Sequence, residues 1–384
     1  MSNLNQFFAG GGSQVGDVQY FLDRNQSTII KPDGSVWLRS GNLVSSSSAP
    51  LLVQNPLYKT VGFNQFTMPG GMYNWANVSY NGTRYVAGTY NSNVFYSPDG
   101  VNWSTGNGFT AGVFSTAYGA GKIVLGTYAS QSLYYSSDGM TYAAANLQSS
   151  TGNWIVAWAS TIGKFVALPT SVSNANYIAY NSPDGVNWAQ CGLAGGSGSN
   201  AYALAASPTL FVALIYNATS YVMYTSTDSV TWVAHGAPPV AGSTISGIAY
   251  VGSYFVMTVS SSPSYYTSTD GINWTVRTLP AAINAMPARS GFAYDGTYYY
   301  MQASAYASGG YCILYSTDCI NWVMANASVP NSSSISGVNG KLFIMANGAS
   351  GAFGNLGDCA GFLPLERQMM GAGGENLMGY VRMI

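Results

Sequence analysis

The sequence predicts an all-β fold, a β-propeller of seven blades with six as the alternative count, and three observations carry that expectation. A turn motif recurs along the chain at an interval of about forty residues, the period of a four-stranded propeller blade. A short apolar or aromatic strand stands ahead of every copy. Charged residues make up only 7% of the chain, against about 25% in ordinary soluble domains, while Gly (46) and Tyr (30) are abundant.

The motif has the form Ser-x-Asp-Gly-x-(Asn/Thr)-Trp. It reads Ser97-Pro98-Asp99-Gly100-Val101-Asn102-Trp103, then Ser136-Ser137-Asp138-Gly139-Met140-Thr141-Tyr142, then Ser182-Pro183-Asp184-Gly185-Val186-Asn187-Trp188. It returns as Ser226-Thr227-Asp228-Ser229-Val230-Thr231-Trp232, Ser268-Thr269-Asp270-Gly271-Ile272-Asn273-Trp274 and Ser316-Thr317-Asp318-Cys319-Ile320-Asn321-Trp322. Successive aspartates lie 39, 46, 44, 42 and 48 residues apart. Forty residues further on, Leu356-Gly357-Asp358-Cys359-Ala360-Gly361-Phe362 keeps an aspartate and a terminal aromatic, and counts as a degenerate seventh copy.

The preceding strands are Tyr85-Val86-Ala87, Ile123-Val124-Leu125, Phe165-Val166-Ala167, Phe211-Val212-Ala213, Phe255-Val256-Met257, Tyr298-Tyr299-Tyr300 and Leu342-Phe343-Ile344. Ahead of each lies a further short strand and a turn, as in Val78-Ser79-Tyr80-Asn81-Gly82 and Phe292-Ala293-Tyr294-Asp295-Gly296, where Asn-Gly and Asp-Gly mark hairpins. The repeating unit is therefore strand, hairpin, strand, connection, strand, motif turn, strand.

The motif is chemically a turn lock. Asp and Ser side chains exchange hydrogen bonds with backbone groups two residues on, Gly accommodates positive φ, and the aromatic returns to the interior as the next strand starts. Asp99, Asp138, Asp184, Asp228, Asp270, Asp318 and Asp358, with Trp103, Trp188, Trp232, Trp274 and Trp322, are thus expected to be structural. Ser229 and Cys319 occupy the glycine slot, so there either φ is not strictly positive or the turn is strained.

These residues resemble the Asp-box, or bacterial neuraminidase repeat, Ser-x-Asp-x-Gly-x-Thr-Trp, in a variant one residue shorter between Asp and Gly. The resemblance covers about residues 75 to 365. It implies a structural turn on the rim of a propeller, away from any active centre.

Propellers with such boxes include sialidases and other glycosidases, which makes a hydrolase the reading to test. The resemblance would require three clustered arginines, a Tyr/Glu nucleophile pair and an acidic Asp. The repeat region offers only Arg84, Arg277 and Arg289 and contains no glutamate, because Glu366 and Glu375 lie beyond it. Two aspartates can also hydrolyse glycosides, but most aspartates here belong to the motif, and Asp295 sits in an Asp-Gly hairpin. His235 is the single histidine, which excludes a multi-histidine metal site. No enzyme, cofactor or metal is expected.

A net charge of −1 without a basic cluster gives no footprint for nucleic acid or an anionic membrane surface. No apolar run approaches the roughly 20 residues of a membrane-spanning helix, and Met1 to Gly16 lacks the regions of a signal peptide, so folding in a cytoplasm is expected. Cys191, Cys312, Cys319 and Cys359 form no CxxC pair and read as free thiols.

Residues 1–62 break the period. They hold Gly10-Gly11-Gly12, a β-type segment from Val15 to Leu22, a Pro32-Asp33-Gly34 hairpin between apolar runs, and a linker at Ser45–Ser48. This leader resembles the N-terminal segments of tailed-bacteriophage tail fibre and baseplate proteins. The ending Gly379-Tyr380-Val381-Arg382-Met383-Ile384 is similar to the Tyr-x-Arg-hydrophobic termini frequent in such proteins.

The organisation expected is an attachment segment over 1–62, a propeller over 63–365 and a C-terminal tail over 366–384. The function expected is that of a non-enzymatic virion component, assembled in the host cytoplasm and homo-oligomeric in the particle. It would join other tail proteins through the N-terminal segment and bind a host surface receptor, glycan or protein, through the propeller. A purely structural baseplate component and a polysaccharide-acting glycosidase are the alternatives.

Overall fold

Each of the six clear motif copies joins the third strand of an antiparallel sheet to its outer strand. The computed structural model describes most of residues 75–356, the omitted ones lying in short stretches between and at the ends of strands. Beyond that span it describes mainly the strands Val18–Phe21, Thr28–Ile30, Val36–Arg39, Leu43–Ser45, Val61–Thr67, Phe362–Pro364 and Met378–Arg382. The described residues contain strands and turns and no helix, as the composition predicts.

The propeller is built blade by blade in chain order. Blade 1 is Trp75–Tyr80, Tyr85–Thr89, Val94–Ser97 and Ser104–Thr105; blade 2 is Gly112–Gly119, Lys122–Tyr128, Tyr134–Ser136 and Ala143–Ala144. Blade 3 runs from Trp154–Ala159 to Ala189–Gly195, blade 4 from Ser199–Ala206 to Val233–Gly236, and blade 5 from Ile245–Val251 to Thr275–Thr278. Blade 6 has a divided inner position, with Ile283–Ala285 and Phe292–Tyr294 both pairing with Tyr299–Ala305, followed by Tyr311–Ser316 and Val323–Val329. These six blades, the alternative count, use consecutive strands alone.

A seventh sheet follows a different rule. Ser332–Val338, Lys341–Ala346 and Ser350–Leu356 supply three strands, and the fourth is Val61–Thr67, from ahead of blade 1. Three consecutive strands leave an open edge of backbone donors and acceptors, which a strand from the other end of the ring satisfies. The degenerate seventh motif does not sit where the others do. In blades 1 to 6 the first core residue of the second strand faces the motif serine, as Tyr85 faces Ser97 and Phe255 faces Ser268. Leu342 faces Gly354 in the same way, so Leu356 stands in the aspartate's place. Asp358 comes two residues later and, with Cys359, lies outside the described residues.

The core is shared between neighbouring blades. Val124 and Leu133 of blade 2 pack with Trp154, Phe165 and Tyr180 of blade 3, and the ring closes where Tyr85, Phe95 and Trp103 of blade 1 meet Phe343 of blade 7. The Tyr85 and Phe343 rings are 5.0 Å apart, and Trp103 meets Phe343 edge-on at 6.3 Å. Burying a side chain such as the fully enclosed Phe343 contributes about 1.5–3 kcal/mol.

The chain divides into two compact units, residues 64–354 and residues 1–63 with 355–384. The C-terminal tail expected over 366–384 falls in the same unit as the leader. Met378–Arg382 lies between Val18–Phe21 and Val36–Arg39 in one four-stranded sheet, completed by Thr28–Ile30. Phe362–Pro364 pairs with Leu43–Ser45. The physical reason is that the leader's strands are too few to pair fully among themselves.

Candidate binding site at the central channel

All six described motif turns are locked by one hydrogen-bond pattern. In blade 1, Ser97 Oγ donates to Asp99 Oδ1 (2.9 Å) and accepts the Gly100 N–H (2.8 Å); Asp99 Oδ1 also accepts the N–H of Val101 and of Asn102, both at 2.8 Å. The Asn102 amide donates to Asp99 Oδ2 (2.7 Å) and the Trp103 indole N–H to the Gly100 carbonyl (2.9 Å). Asp138, Asp184, Asp228, Asp270 and Asp318 accept the equivalent backbone N–H pairs. Trp188 repeats the indole bond to Gly185 (3.2 Å), Trp232 packs on Phe211, and Trp274 packs against the cluster shared by blades 4 and 5. Trp322 is satisfied differently, by the Tyr265 hydroxyl of the preceding blade.

The aspartates titrate as this geometry requires. Burial alone would raise Asp184, but the Asn187 and Val186 N–H groups, the Asn187 amide and the Ser182 hydroxyl outweigh it and hold the carboxyl at about 2. Asp99, Asp138, Asp270 and Asp318 are lowered in the same balance, and Asp228 chiefly by the N–H groups of Thr231 and Val230. Ser229 and Cys319 do adopt positive φ, 67° and 60°, so the strained alternative holds at both.

Strand directions put these turns at one end of blades 1 to 6, the end that also carries the hairpin between the first and second strands. The other end, where the inner strands begin, has a different construction. Most inner strands carry a β-bulge there: between Trp75 and Val78, Val113 and Ser115, Ala201 and Ala203, Ile245 and Gly247, and Ser332 and Ser334. A bulge re-aims the extra residue away from the pleat. Asn77, Phe114 and Tyr202 are exposed as a result, the last two at 44% and 48%.

Between the two ends the seven inner strands line a cavity of about 450 Å³. Its lining is layered. The Ser79, Ala117, Ala157, Ala205, Ala249, Ala293 and Ser336 positions, equivalent by register, form a layer of small side chains. Where seven strands converge, larger groups do not fit. Next to it, toward the bulges, runs an apolar layer from Val78 through Leu204 and Phe292 to Ile335, while Tyr118, Trp158, Tyr250 and Tyr294 line the turn end. Small hydroxyls tie the blades together here: Val78 N–H donates to Ser336 Oγ (3.0 Å), Val156 N–H to Ser115 Oγ (2.8 Å), and Ser79 and Thr116 hydroxyls meet at 2.7 Å. The approach is close, since a Cβ on Gly119 would lie 2.1 Å from the Trp158 ring. No Asp, Glu, His, Lys, Arg or Cys is among the described lining residues.

The residues weighed for hydrolysis are held apart from this cavity and from one another. Asp295 Oδ1 accepts the N–H groups of Thr297 and Tyr298 (2.8 Å each), and its Oδ2 accepts the Tyr300 hydroxyl at 2.6 Å. Arg84 donates to the Asp138 carbonyl (3.2 Å), Arg277 to Thr267 Oγ1 (3.1 Å), and His235 Nε2 bonds Thr225 Oγ1 (2.7 Å). Arg289, Glu366 and Glu375 lie outside the described residues. Cys191, Cys312 and Cys319 are free thiols, with burial pushing them up to about 11, 11 and 12. No group of three or more His, Cys, Asp or Glu side chains suited to a metal occurs among the described residues, nor does any helix long and apolar enough to cross a membrane.

The bulged Phe114 and Tyr202 are what the sequence reasoning missed. Tyr202 stands in Ser199–Ala206, a strand of small residues whose alternation shows no break until its pairing partner is known.

No protein family and no characterised protein matches the chain in sequence. Solved structures do match in shape, and they are propellers. A structure described as YCF48 bound to D1 peptide superposes with a TM-score of 0.55 at 13% identity, over 76% of this chain and 95% of that one. A streptogramin B lyase matches with a TM-score of 0.59 at 10% identity, over 77% of this chain and 98% of that one. A GH74 enzyme from Niastella koreensis matches with a TM-score of 0.51 at 16% identity, over 81% of this chain and 44% of that one. At such identities the likeness is one of fold. The chain is a β-propeller.

Proposed function

We propose that this propeller is a non-enzymatic component of a tailed-bacteriophage tail, fibre or baseplate, that binds a host surface glycan at the bulged end of its channel. One observation carries the reading: inner-strand bulges present Asn77, Phe114 and Tyr202 to solvent around a channel without charged lining. Aromatic planes cover the C–H faces of sugars, and amides and hydroxyls satisfy their hydroxyl groups. The separation of Asp295, His235, Arg84 and Arg277 into different blades supports binding over hydrolysis. The likeness of the leader and the C-terminal residues to tail-protein termini supports the virion setting, with the unit of residues 1–63 and 355–384 joining other tail proteins and further copies of this chain.

The test is binding of the purified full chain to an oligosaccharide array and to intact bacterial cells, with reducing ends assayed in parallel. Saturable binding without new reducing ends is the expected result. Absence of binding to every glycan and cell would favour the purely structural component, and release of reducing ends the glycosidase.

A further inference from the structure

We infer that blade 4 carries a subsite for a neutral pyranose, built on Tyr202, Tyr216 and Tyr221. The inference rests on the glycan-binding reading above and gives it an address.

The three rings form a fixed step. Tyr221 meets Tyr202 edge-to-face with centroids 4.9 Å apart and planes at 84°, and meets Tyr216 at 4.9 Å and 45°. Tyr221 is the anchor, because it packs on the hydrophobic cluster shared by blades 4 and 5. Tyr216 and Tyr221 face each other across the second and third strands. The turn joining those strands is locked: Asn217 Oδ1 accepts the N–H groups of Thr219 (3.3 Å) and Ser220 (2.8 Å) and both their hydroxyls (3.0 and 3.2 Å). Tyr202 is then the exposed tread, placed outward by its bulge.

Such a step suits a sugar ring. An edge-to-face pair leaves one face of Tyr202 to cover the axial C–H groups of a pyranose, while the Tyr216 and Tyr221 phenols and, as acceptors, the hydroxyls of Thr219 and Ser220 are available to the sugar hydroxyls. A platform fixed by packing and by a locked turn loses little entropy on binding. The ligand should be uncharged, because Asn200, Tyr202, Tyr216, Asn217, Thr219, Ser220 and Tyr221 include no ionised group with which to pair a carboxylate or an amine.

The experiment compares the full chain with Tyr202→Ala, Tyr202→Phe and, as a rim control, Val276→Ala. Each is titrated with the oligosaccharide bound best on an array of neutral and acidic hexose and hexosamine oligomers, at low and at high salt, with melting temperature measured alongside. Tyr202→Ala should bind about tenfold more weakly, with Tyr202→Phe and Val276→Ala close to the parent, melting unchanged and little response to salt. If the chain binds glycan but Tyr202→Ala does not weaken it, or binding is to acidic oligomers and collapses with salt, this subsite is wrong while the broader reading stands. If the parent chain binds no oligosaccharide, both fail together.

Discussion

The buried hydroxyl of Tyr265 in blade 5 accepts the indole N–H of Trp322 in blade 6 at 2.7 Å and donates to the Cys319 carbonyl at 2.9 Å. One oxygen thus satisfies two polar groups of the neighbouring blade's turn, at the place where Trp103 and Trp188 bond the glycine carbonyl of their own turn and the buried Trp274 indole N–H has no hydrogen-bond partner.

Tyr265→Phe should therefore cost more than a single exposed hydrogen bond. It leaves a buried N–H and a buried C=O without a partner, a loss of about 1–3 kcal/mol for each orphaned group. Chemical denaturation should report a lower midpoint, and an unchanged midpoint would mean that water replaces the phenol.

The motif aspartates predict a specific acid response. A carboxyl that titrates near 3.9 when unfolded, and is depressed when folded, stabilises the fold above the unfolded value and stops doing so as pH falls through the folded one. Asp184, at about 2, places its share of that loss between about pH 4 and pH 2, and five further lowered carboxylates add to the fall as pH drops below about 4. Melting temperature should be flat between about pH 5 and about pH 8 and fall below that range. Asp184→Asn should make the fall shallower, because one titrating group is gone; a slope identical to the parent's would show that Asp184 does not contribute.

Ser229→Gly should stabilise blade 4. The serine sits at φ 67° and its buried hydroxyl has no hydrogen-bond partner, so glycine removes both a left-handed penalty of about 1–2 kcal/mol and a desolvated polar group. Glycine's freedom in the unfolded chain takes back about 0.5–1 kcal/mol. A net rise in melting temperature is expected, and a fall would mean that the turn tolerates serine without strain.

Truncation separates the leader from the ring. Removing residues 1–50 retains Val61–Thr67 and should leave a cooperatively folding propeller, which under the proposed tail role would no longer join the particle. Removing residues 1–67 deletes the fourth strand of the seventh sheet and should lower stability and promote association through the exposed edge. Equal stability of the two truncations would show that the closing strand is dispensable.

Much of this was legible in the sequence because six turns announce themselves with the same four or five residues. Asp99 to Asp318 located the third-to-outer-strand turns, and Asn81-Gly82 and Asp295-Gly296 the inner hairpins. The seventh blade was not legible in the same way. Leu356 holds the aspartate's place, and the strand that completes the sheet lies in the leader, where local pattern says only that it is extended. Nor was the tyrosine step, since Tyr202, Tyr216 and Tyr221 look like the strand filler found in each of blades 1 to 6. The exposure of Tyr202 follows from a bulge, which is a property of pairing and not of either strand alone.

The pairing of Val61–Thr67 with Ser350–Leu356 has a temporal side as well. The two segments are roughly 290 residues apart, a separation whose entropy must be met before the contact rewards it. At ribosomal speeds of about 5–20 residues per second, the first segment waits roughly 15 to 60 s for its partner to be made. Throughout that interval blades can fold one against the next, but the ring stays open, and nascent chains on one messenger stand close enough to exchange their waiting strands. Correct assembly then depends on how fast synthesis runs relative to how long an unpaired strand can be kept from a neighbour.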